Sequence, residues 1–308
     1  MEFLHLWMSI TFLTSTFISY ILILLSIAFF TLLERKILGY IQIRKGPNKV
    51  GLSGLPQPLA DALKLFSKEI LFPYIINKLP FFIAPVLGLS LALSLWILYP
   101  YKNFSLPFTF SIIIFLAISR LNVYTTLIAG WARNSKYALL GSLRRIAQTI
   151  SYEVSIALIL ISILLIIQHY SFNQTFNNIM WPSIIILPIA ITWFITMLAE
   201  TNRTPFDLAE GESELVSGFN IEYGAGLFAL IFIAEYMNIL AIRMFSAAIL
   251  TSNFSNLSLS LKTLFLAILF IWVRGTLPRI RYDALIRLTW KSFLPFILSA
   301  LLLIITLI

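Results

Sequence analysis

Eight long apolar windows constrain the fold of this chain more than any other feature of its sequence. A helix needs about 20 predominantly apolar residues to cross a bilayer. Only helices and closed barrels can span lipid, and these windows are continuously apolar instead of alternating, so the sequence predicts transmembrane helices. The approximate limits of the windows are residues 8–33, 80–100, 108–131, 146–168, 181–200, 221–246, 258–275 and 287–308.

The proportion of charged residues supports the same class. Charged residues make up 11% of the chain and hydrophobic residues 59%, whereas a soluble domain carries about 25% charged residues. This excludes a soluble globular protein and a disordered chain. The first window lacks a basic leader and a cleavage site, so we expect a retained helix. No repeat or long linker divides the sequence. We therefore expect an all-α polytopic membrane protein with a single membrane domain over residues 1–308.

The sequence argues against a redox centre or a nucleotide site in this chain. It contains no cysteine, which excludes disulfides, thiolate ligation of iron–sulfur clusters and cysteine nucleophiles. His5 and His169 lie far apart, so a histidine-based metal site is not expected. Residues 224–229 match a loose dinucleotide pattern, but no strand precedes them and they lie within a membrane window; their small residues are more typical of close helix packing. No module for binding nucleic acid is present.

Basic residues concentrate on the loops of one side. Eight spans put both termini on the same side of the membrane, and the odd-numbered loops then lie opposite. Those loops hold 18 of the 22 basic residues, in segments 34–80, 132–147, 200–222 and 274–291. The positive-inside rule places this face in the cytoplasm or, for a mitochondrial protein, in the matrix.

The first basic loop contains a short amphipathic pattern after Glu-Arg-Lys (residues 34–36), which is expected to end the first helix. Leu59, Leu63 and Phe66 recur at helical spacing, and Pro58 is typical of a helix start. At roughly 12 residues the helix is too short to span, so an interfacial amphipathic helix is predicted. It is either a surface anchor or one wall of a lateral opening in which Asp61 faces a polar interior.

The stretch 199–218 is the most informative loop. It places five carboxylates within fifteen residues, with Arg203 as the only cation. Thr204 to Asp207 resembles a capping box with Pro205 at the first helical position. The usual meaning of a charge run is a solvated face. Because the flanking segments are membrane helices, a proton relay built from carboxylates of shifted pKa is the alternative. If the stretch is helical, one face carries Asp207, Glu210 and Glu214.

Several charges fall inside the spans. An ionised side chain at the bilayer centre costs at least about 3 kcal/mol on insertion scales, so such residues usually face the bundle interior. Arg243 lies near enough to its helix end to snorkel, whereas Arg120 needs a partner that the sequence does not identify. Together with Glu200, the carboxylates of the spans form an acidic file toward the middle of the membrane: Glu153, Glu222 and Glu235.

These motifs together resemble one family. Residues 33–40 (LERKILGY), 44–48 (RKGPN), 148–153 (QTISYE), 199–223 and 279–283 (RIRYD) look like membrane subunit 1 of proton-pumping NADH:ubiquinone oxidoreductase, respiratory complex I, of the mitochondrially encoded type. The resemblance covers the chain end to end. Its compactness, with no targeting segment, looks like an organelle-encoded copy.

The resemblance implies eight transmembrane helices, an amphipathic helix after the first, and a place at the heel of the complex. The chain would hold no metal, flavin or iron–sulfur cluster. With hydrophilic neighbours, one of which carries the terminal iron–sulfur cluster, it would wall the chamber in which ubiquinone is the substrate. Small membrane subunits would be its other partners. The mitochondrial inner membrane is implied, with basic loops in the matrix and both termini toward the intermembrane space.

The resemblance also implies roles for individual residues. The positions that match the quinone chamber and its access path are Arg35, Arg44, Asp61, Phe232 and Arg274. Other positions match the polar route that couples quinone chemistry to proton movement: Glu153, Glu200, Arg203, Asp207, Glu210, Glu212, Glu222 and Glu235. Three residues lie beside this route: Tyr152, Tyr236 and Arg144. Glu214 belongs to the acidic loop 199–218. The chain departs from the family's pattern at three positions, where small or uncharged residues would be expected and this chain has Arg120, Arg133 and Arg145.

Without the family resemblance, the residues of this sequence leave two other functions open. A self-contained secondary transporter would use the acidic residues for a coupling cation, although inverted repeats, common in such proteins, are not visible. A scaffold would use its charges only for docking.

Overall fold

The computed structural model describes residues 2–100, 109–172, 181–208, 211, 218–220, 222–251 and 255–307, with side chains from Thr14 onward. Over these ranges the chain consists of helices and loops, without a β-strand. The helices are α1 (Glu2–Ile41), α2 (Gln57–Phe66), α3 (Lys78–Ile97), α4 (Ser111–Ala132), α5 (Lys136–Ile167), α6 (Pro182–Ile185), α7 (Leu187–Glu200), α8 (Ala225–Leu250), α9 (Asn256–Thr276) and α10 (Tyr282–Leu307).

The predicted all-helical membrane fold is confirmed. Within the described residues, seven helices are long and apolar enough to cross a membrane: α1, α3, α4, α5, α8, α9 and α10. The fifth predicted window, 181–200, is divided at Ile186 into α6 and the 14-residue α7. Pro188 lies in the first turn of α7 and has no backbone N–H to donate, which suits it to a helix start and not to a helix interior.

The predicted end of the first helix is wrong. Instead of ending at Glu34, α1 continues to Ile41. Residues 34–38 are good helix formers, Gly39 is accommodated close to the end of the helix, and a strong break signal comes only at Gly46-Pro47. The carboxylate of Glu34 also finds partners inside the molecule, so the helix does not have to end to bring it to water.

Helix α2 begins at Gln57 with Pro58 in its first turn, in agreement with the start predicted from Pro58. Its apolar side chains Leu59, Leu63 and Phe66 are exposed on the surface of the molecule. Large exposed apolar faces recur around the bundle, for example on α1 and α9, as expected for a protein whose outer surface is covered by lipid.

Helix α8 lies near the centre of the bundle. It packs against α3 and α9, while α3 packs on α4, α4 on α5, and α5 on α10. The largest buried apolar cluster joins α4, α5, α7, α8 and α10 through residues such as Phe115, Leu160, Trp193 and Phe245. The charged residues described next lie where α1, α5, α8, α9 and the 201–208 loop converge.

The expected helix start at Pro205 is wrong. Residues 201–208 form a chain of turns, in which the Phe206 N–H donates to the Arg203 carbonyl at 2.8 Å. The Pro205 carbonyl instead accepts a hydrogen bond from the Ile280 N–H at 3.0 Å. Tertiary contacts thus hold a conformation that the local capping pattern does not predict. The predicted sharing of a face by Asp207, Glu210 and Glu214 falls partly outside the described residues.

Candidate functional site: a buried line of charged groups

The Glu34 carboxylate is the centre of a buried polar cluster, and its residue is only 5% exposed. One oxygen, Oε1, pairs with the Arg274 guanidinium of α9 and lies 3.6 Å from Nη1 of Arg203. The other oxygen, Oε2, accepts a hydrogen bond from the Tyr236 hydroxyl of α8 at 2.8 Å. A single carboxylate therefore connects three elements of the fold. The sequence placed Glu34 only at a helix end and assigned it no role; an acidic residue directly after an apolar run was the signal available.

Arg203 lies between this carboxylate and an aromatic ring. Its guanidinium carbon is 4.6 Å from the centre of the Tyr236 ring, in the geometry of a cation–π contact. Burial by itself would lower the pKa of Arg203, but the nearby Glu34 carboxylate and Tyr236 raise it above its ordinary value. Arg203 is therefore a fixed positive charge at every physiological pH.

The loop that carries Arg203 is fastened to α5 by a buried amide. Nε2 of Gln148 donates to the carbonyl of Ala199 at 2.9 Å and to that of Phe206 at 3.0 Å. Gln148 is completely buried. It was recognised in the sequence as part of a motif but was given no role. Its two hydrogen bonds fix both ends of the turn that presents Arg203.

A second ion pair lies beside the first cluster. Nη1 of Arg145 donates to Oε1 of Glu235 at 3.1 Å. With the Asn202 amide oriented so that its oxygen faces the guanidinium, Arg145 also contacts that oxygen at 3.0 and 3.2 Å. Asn202 precedes Arg203, and Glu235 precedes Tyr236, so the two clusters are adjacent on both the loop and α8. The family resemblance implied a small or uncharged residue at position 145. The structure explains the arginine that is present, since Arg145 neutralises the charge of Glu235.

A small cavity with both polar and apolar walls lies next to Glu235. The cavity has a volume of about 30 Å³ and is lined in part by Asn122, Thr125, Arg145 and Asn238. That volume is enough for about one water molecule when several polar partners converge. Glu235 therefore has room for a hydrogen-bonded water.

The carboxylates Glu200 and Glu153 extend the line of charges toward α4. Glu200 ends α7 and interacts electrostatically with both Glu153 and Arg145. Nε of Arg120 lies 3.8 Å from Oε2 of Glu153, which identifies the partner of Arg120 that the sequence did not show. Tyr152, next to Glu153, is fully buried and packs against Phe206, with ring centres 6.0 Å apart.

The residues assigned to quinone access are only partly brought together. Nη1 of Arg35 lies 2.7 Å from Oδ2 of Asp61, whose other oxygen, Oδ1, accepts a hydrogen bond from Nε2 of Gln57 at 2.9 Å, so the Arg35–Asp61 pair connects α1 with α2. Arg274 lies instead in the Glu34 cluster. The other two have separate contacts: Arg44 donates to the Gln42 side chain at 2.9 Å, and Phe232 packs against Phe228 with ring centres 4.3 Å apart.

The remaining predicted residues of the polar route have different positions. Asp207 follows the Arg203 turn and is half-buried, as is Arg144 on α5. Glu222 lies before α8 and interacts electrostatically with Arg133. Glu210, Glu212 and Glu214 lie outside the described residues.

Arg133 is buried at the end of α4, with its guanidinium carbon 4.3 Å from the centre of the Tyr223 ring. Burial lowers the pKa of Arg133 to about 10, and Tyr223 and Glu222 offset part of that effect. The side chain therefore keeps its charge at neutral pH. It joins α4 to the segment that precedes α8.

Arg243 does not reach outward, contrary to the expectation for its position in the helix. It is 3% exposed and lies between the rings of Phe30 and Phe270, at 4.6 and 4.3 Å from their centres. The two ring faces provide a favourable electrostatic environment for the cation. Arg243 also lines a largely apolar cavity of about 370 Å³ between α1, α3, α8 and α9.

Two further features of the structure concern acidic and histidine side chains and the packing around Gly224. Among the described residues, no group of three or more histidine, aspartate or glutamate side chains could hold a metal ion. No neighbouring atom lies within 4 Å of the point where a Cβ of Gly224 would be. The close helix packing predicted for this residue is therefore wrong.

Comparison with known proteins gives a consistent family. A family model described as NADH dehydrogenase matches residues 14–305. NADH-ubiquinone oxidoreductase chain 1 of Aedes aegypti is 53% identical over 284 residues, which cover 91% of each chain. The protein of the same name from Anopheles gambiae is 52% identical over 284 residues (91% of this chain, 90% of the relative), and that from Bradypus variegatus is 53% identical over 289 residues, covering 90% of each.

Proposed function

Because the chain belongs to the NADH dehydrogenase family, and is thereby a membrane subunit of the NADH:ubiquinone oxidoreductase complex, we propose that it helps to form the chamber for ubiquinone and couples quinone reduction to proton translocation. Ubiquinone is the substrate in this proposal. The electrons come from a partner, since this chain has no cysteine for an iron–sulfur cluster.

The observation that carries the proposal is the continuity of the charged groups. From α9 to α4 the order is Arg274, Glu34, Arg203 with Tyr236, Glu235 with Arg145, Glu200, Glu153 and Arg120. Ionised groups in the interior of a membrane protein are expensive and are usually functional. Acidic and basic side chains alternate over most of this line, so that a change in the charge of one group alters the electrostatic potential at the next.

Among the described residues, Glu200 and Glu153 are two carboxylates that interact electrostatically with each other. Two interacting carboxyl groups exchange protons as a coupled pair and not as two independent sites. A shared proton at this point, with the water-sized cavity beside Glu235, is what transfer of a proton between neighbouring groups requires.

The access path in this proposal lies between α1 and α2. Helix α2 rests in the membrane interface with Leu59, Leu63 and Phe66 toward lipid, since these side chains are exposed. The Arg35–Asp61 pair then borders the opening. Arg44 and Phe232 contribute to its rim and wall, and Arg274 lies at its inner end.

The topology in this proposal has eight spans, with α6 and α7 together forming the fifth. The basic loops face the mitochondrial matrix, and both termini face the intermembrane space. Residues 1–308 form one domain. On the matrix side the chain contacts the hydrophilic subunits, including the one with the terminal iron–sulfur cluster, and small membrane subunits lie beside it.

The test is a pair of neutral substitutions in the assembled complex, Glu153→Gln and Asp207→Asn. Both variants are expected to lose coupled quinone reduction while electron transfer from NADH to an artificial acceptor continues. The matched control is Asp283→Asn, because Asp283 also pairs with an arginine, Arg281 at 3.4 Å, but is exposed. Normal quinone reductase and proton pumping in both variants would contradict the proposed roles.

A further inference from the structure

We propose that Glu34 is a positioning residue for quinone reduction, which holds Arg274 at the inner end of the access path and Arg203 with Tyr236 at the start of the polar route in one fixed arrangement. The inference rests on the proposed function and adds to it a residue without an assigned role. It concerns a single carboxylate that joins the two halves of the site.

Both oxygens of Glu34 are occupied by groups from other elements. Oε1 faces two guanidinium groups, those of Arg274 and Arg203. Oε2 accepts the Tyr236 hydroxyl. With 5% of the residue exposed, the carboxylate is not placed to touch a substrate. It acts through the three side chains that it holds.

The charge balance around Glu34 explains why the carboxylate is needed. Counted over the groups that pair with Glu34, two guanidinium groups and one carboxylate leave a net charge of +1, with Arg203 largely buried and Arg274 34% exposed. Replacement of the carboxylate by an amide raises this to +2. Removing one partner of a buried pair leaves the other charge uncompensated, so Arg203 and Arg274 would repel each other and move apart.

The arrangement has a direct consequence for an electron-rich ligand. Charge-assisted hydrogen bonds from an arginine are directional and roughly twice as strong as neutral ones. An Arg274 side chain held by Glu34 presents its remaining N–H groups in a fixed direction. A quinone carbonyl is an acceptor that such a donor would orient, and an Arg274 that has lost Glu34 would present the same donors in many directions.

A simple cross-brace is the alternative, because Glu34 joins α1 to α8 and α9. A brace would alter assembly and heat resistance but would leave the Michaelis constant for quinone unchanged. A positioning residue changes that constant in complexes that assemble normally. The two roles therefore differ in a measurable quantity.

The experiment uses the assembled complex with Glu34→Gln, Glu34→Asp or the control Asp283→Asn. The rate from NADH to an artificial acceptor normalises for the amount of complex, and KM and kcat are measured with a short-chain ubiquinone. Glu34→Gln is expected to raise KM about tenfold, the scale of one lost charge-assisted hydrogen bond. Glu34→Asp keeps the charge and is expected to stay within about threefold of the parent. Asp283→Asn is expected to match the parent.

Tyr236→Phe is a milder second variant in case Glu34→Gln does not assemble. It removes the hydrogen bond to Glu34 without leaving a charge unpaired, and keeps the ring under Arg203. We expect a KM increase of about threefold, as for a neutral hydrogen bond. An unchanged KM in this variant, or equal KM values for Glu34→Gln and Asp283→Asn, would overturn the inference. So would a loss of kcat alone that Glu34→Asp does not rescue.

Failure of this inference is distinguishable from failure of the proposed function. If Glu153→Gln and Asp207→Asn both retain coupled quinone reduction and proton pumping, the proposed function is wrong. If Glu153→Gln loses it while Glu34→Gln behaves like Asp283→Asn, only the positioning role is wrong.

Discussion

The guanidinium of Arg145 lies 3.1 Å from the carboxylate of Glu235, although 90 residues separate them in the chain. Their side chains are 9% and 20% exposed. The pair joins α5 to α8 in the middle of the line of charged groups. Each partner makes the burial of the other tolerable, which leads to a prediction about substituting them one at a time and together.

Arg145→Gln alone is expected to destabilise the assembled complex by about 1–3 kcal/mol, because it removes the direct ion-pair partner of the part-buried Glu235. The double variant Arg145→Gln, Glu235→Gln removes both charges and is expected to recover most of that loss. The measurement is a double-mutant cycle on the heat resistance of the complex. The exposed pair Arg281–Asp283 is the control, with an expected coupling of about 0–1 kcal/mol. Equal coupling in the two pairs would contradict the buried ion pair.

A second prediction concerns the tether of the 201–208 loop. Gln148→Ala removes two hydrogen bonds to buried backbone carbonyls, a loss of about 1–3 kcal/mol. Hydrogen exchange of residues 201–208 is expected to accelerate, and quinone reduction is expected to fall because Arg203 is no longer fixed. Thr149→Ala is the control on the same helix, since the Thr149 hydroxyl donates only within α5. Exchange that is unchanged in Gln148→Ala would contradict the tether.

The membrane class and most helices follow from the sequence because hydropathy measures a local property, the free energy of transferring a segment into lipid. The partners of the buried charges do not follow from it. Arg274 and Glu34 are 240 residues apart, and Arg120 meets Glu153 from another helix. Hydropathy shows that each charge needs a partner but contains no information about which residue supplies it. The local capping pattern at Pro205 was misleading for the same reason, since Gln148 and Ile280 decide the conformation there.

A third prediction concerns the contact between α4 and α5. A Cβ added at Gly130 would lie 2.3 Å from Oγ of Ser142, so Gly130→Ala is expected to destabilise the complex by about 1–3 kcal/mol through overpacking. Ser142→Gly in the same chain provides the missing space and is expected to restore heat resistance. Gly224→Ala is the control, because nothing lies within 4 Å of its Cβ position. Failure of Ser142→Gly to rescue would contradict this packing.

The last prediction tests whether α2 borders the access path. Asp61→Asn removes the charge that pairs with Arg35, and the two side chains are 38% and 57% exposed. A pair this exposed contributes only about 0–1 kcal/mol and is screened by salt. We therefore expect no loss of assembly, and a KM for short-chain ubiquinone that rises at low ionic strength but approaches the parent value near 1 M salt, where the Debye length is about 3 Å. Glu69→Gln, three residues after the end of α2, is the control, since it removes one negative charge from the same exposed segment without touching the pair. A KM change that is equal in both variants would show that this segment acts through its overall charge, and the Arg35–Asp61 pair would then have no specific place at the opening.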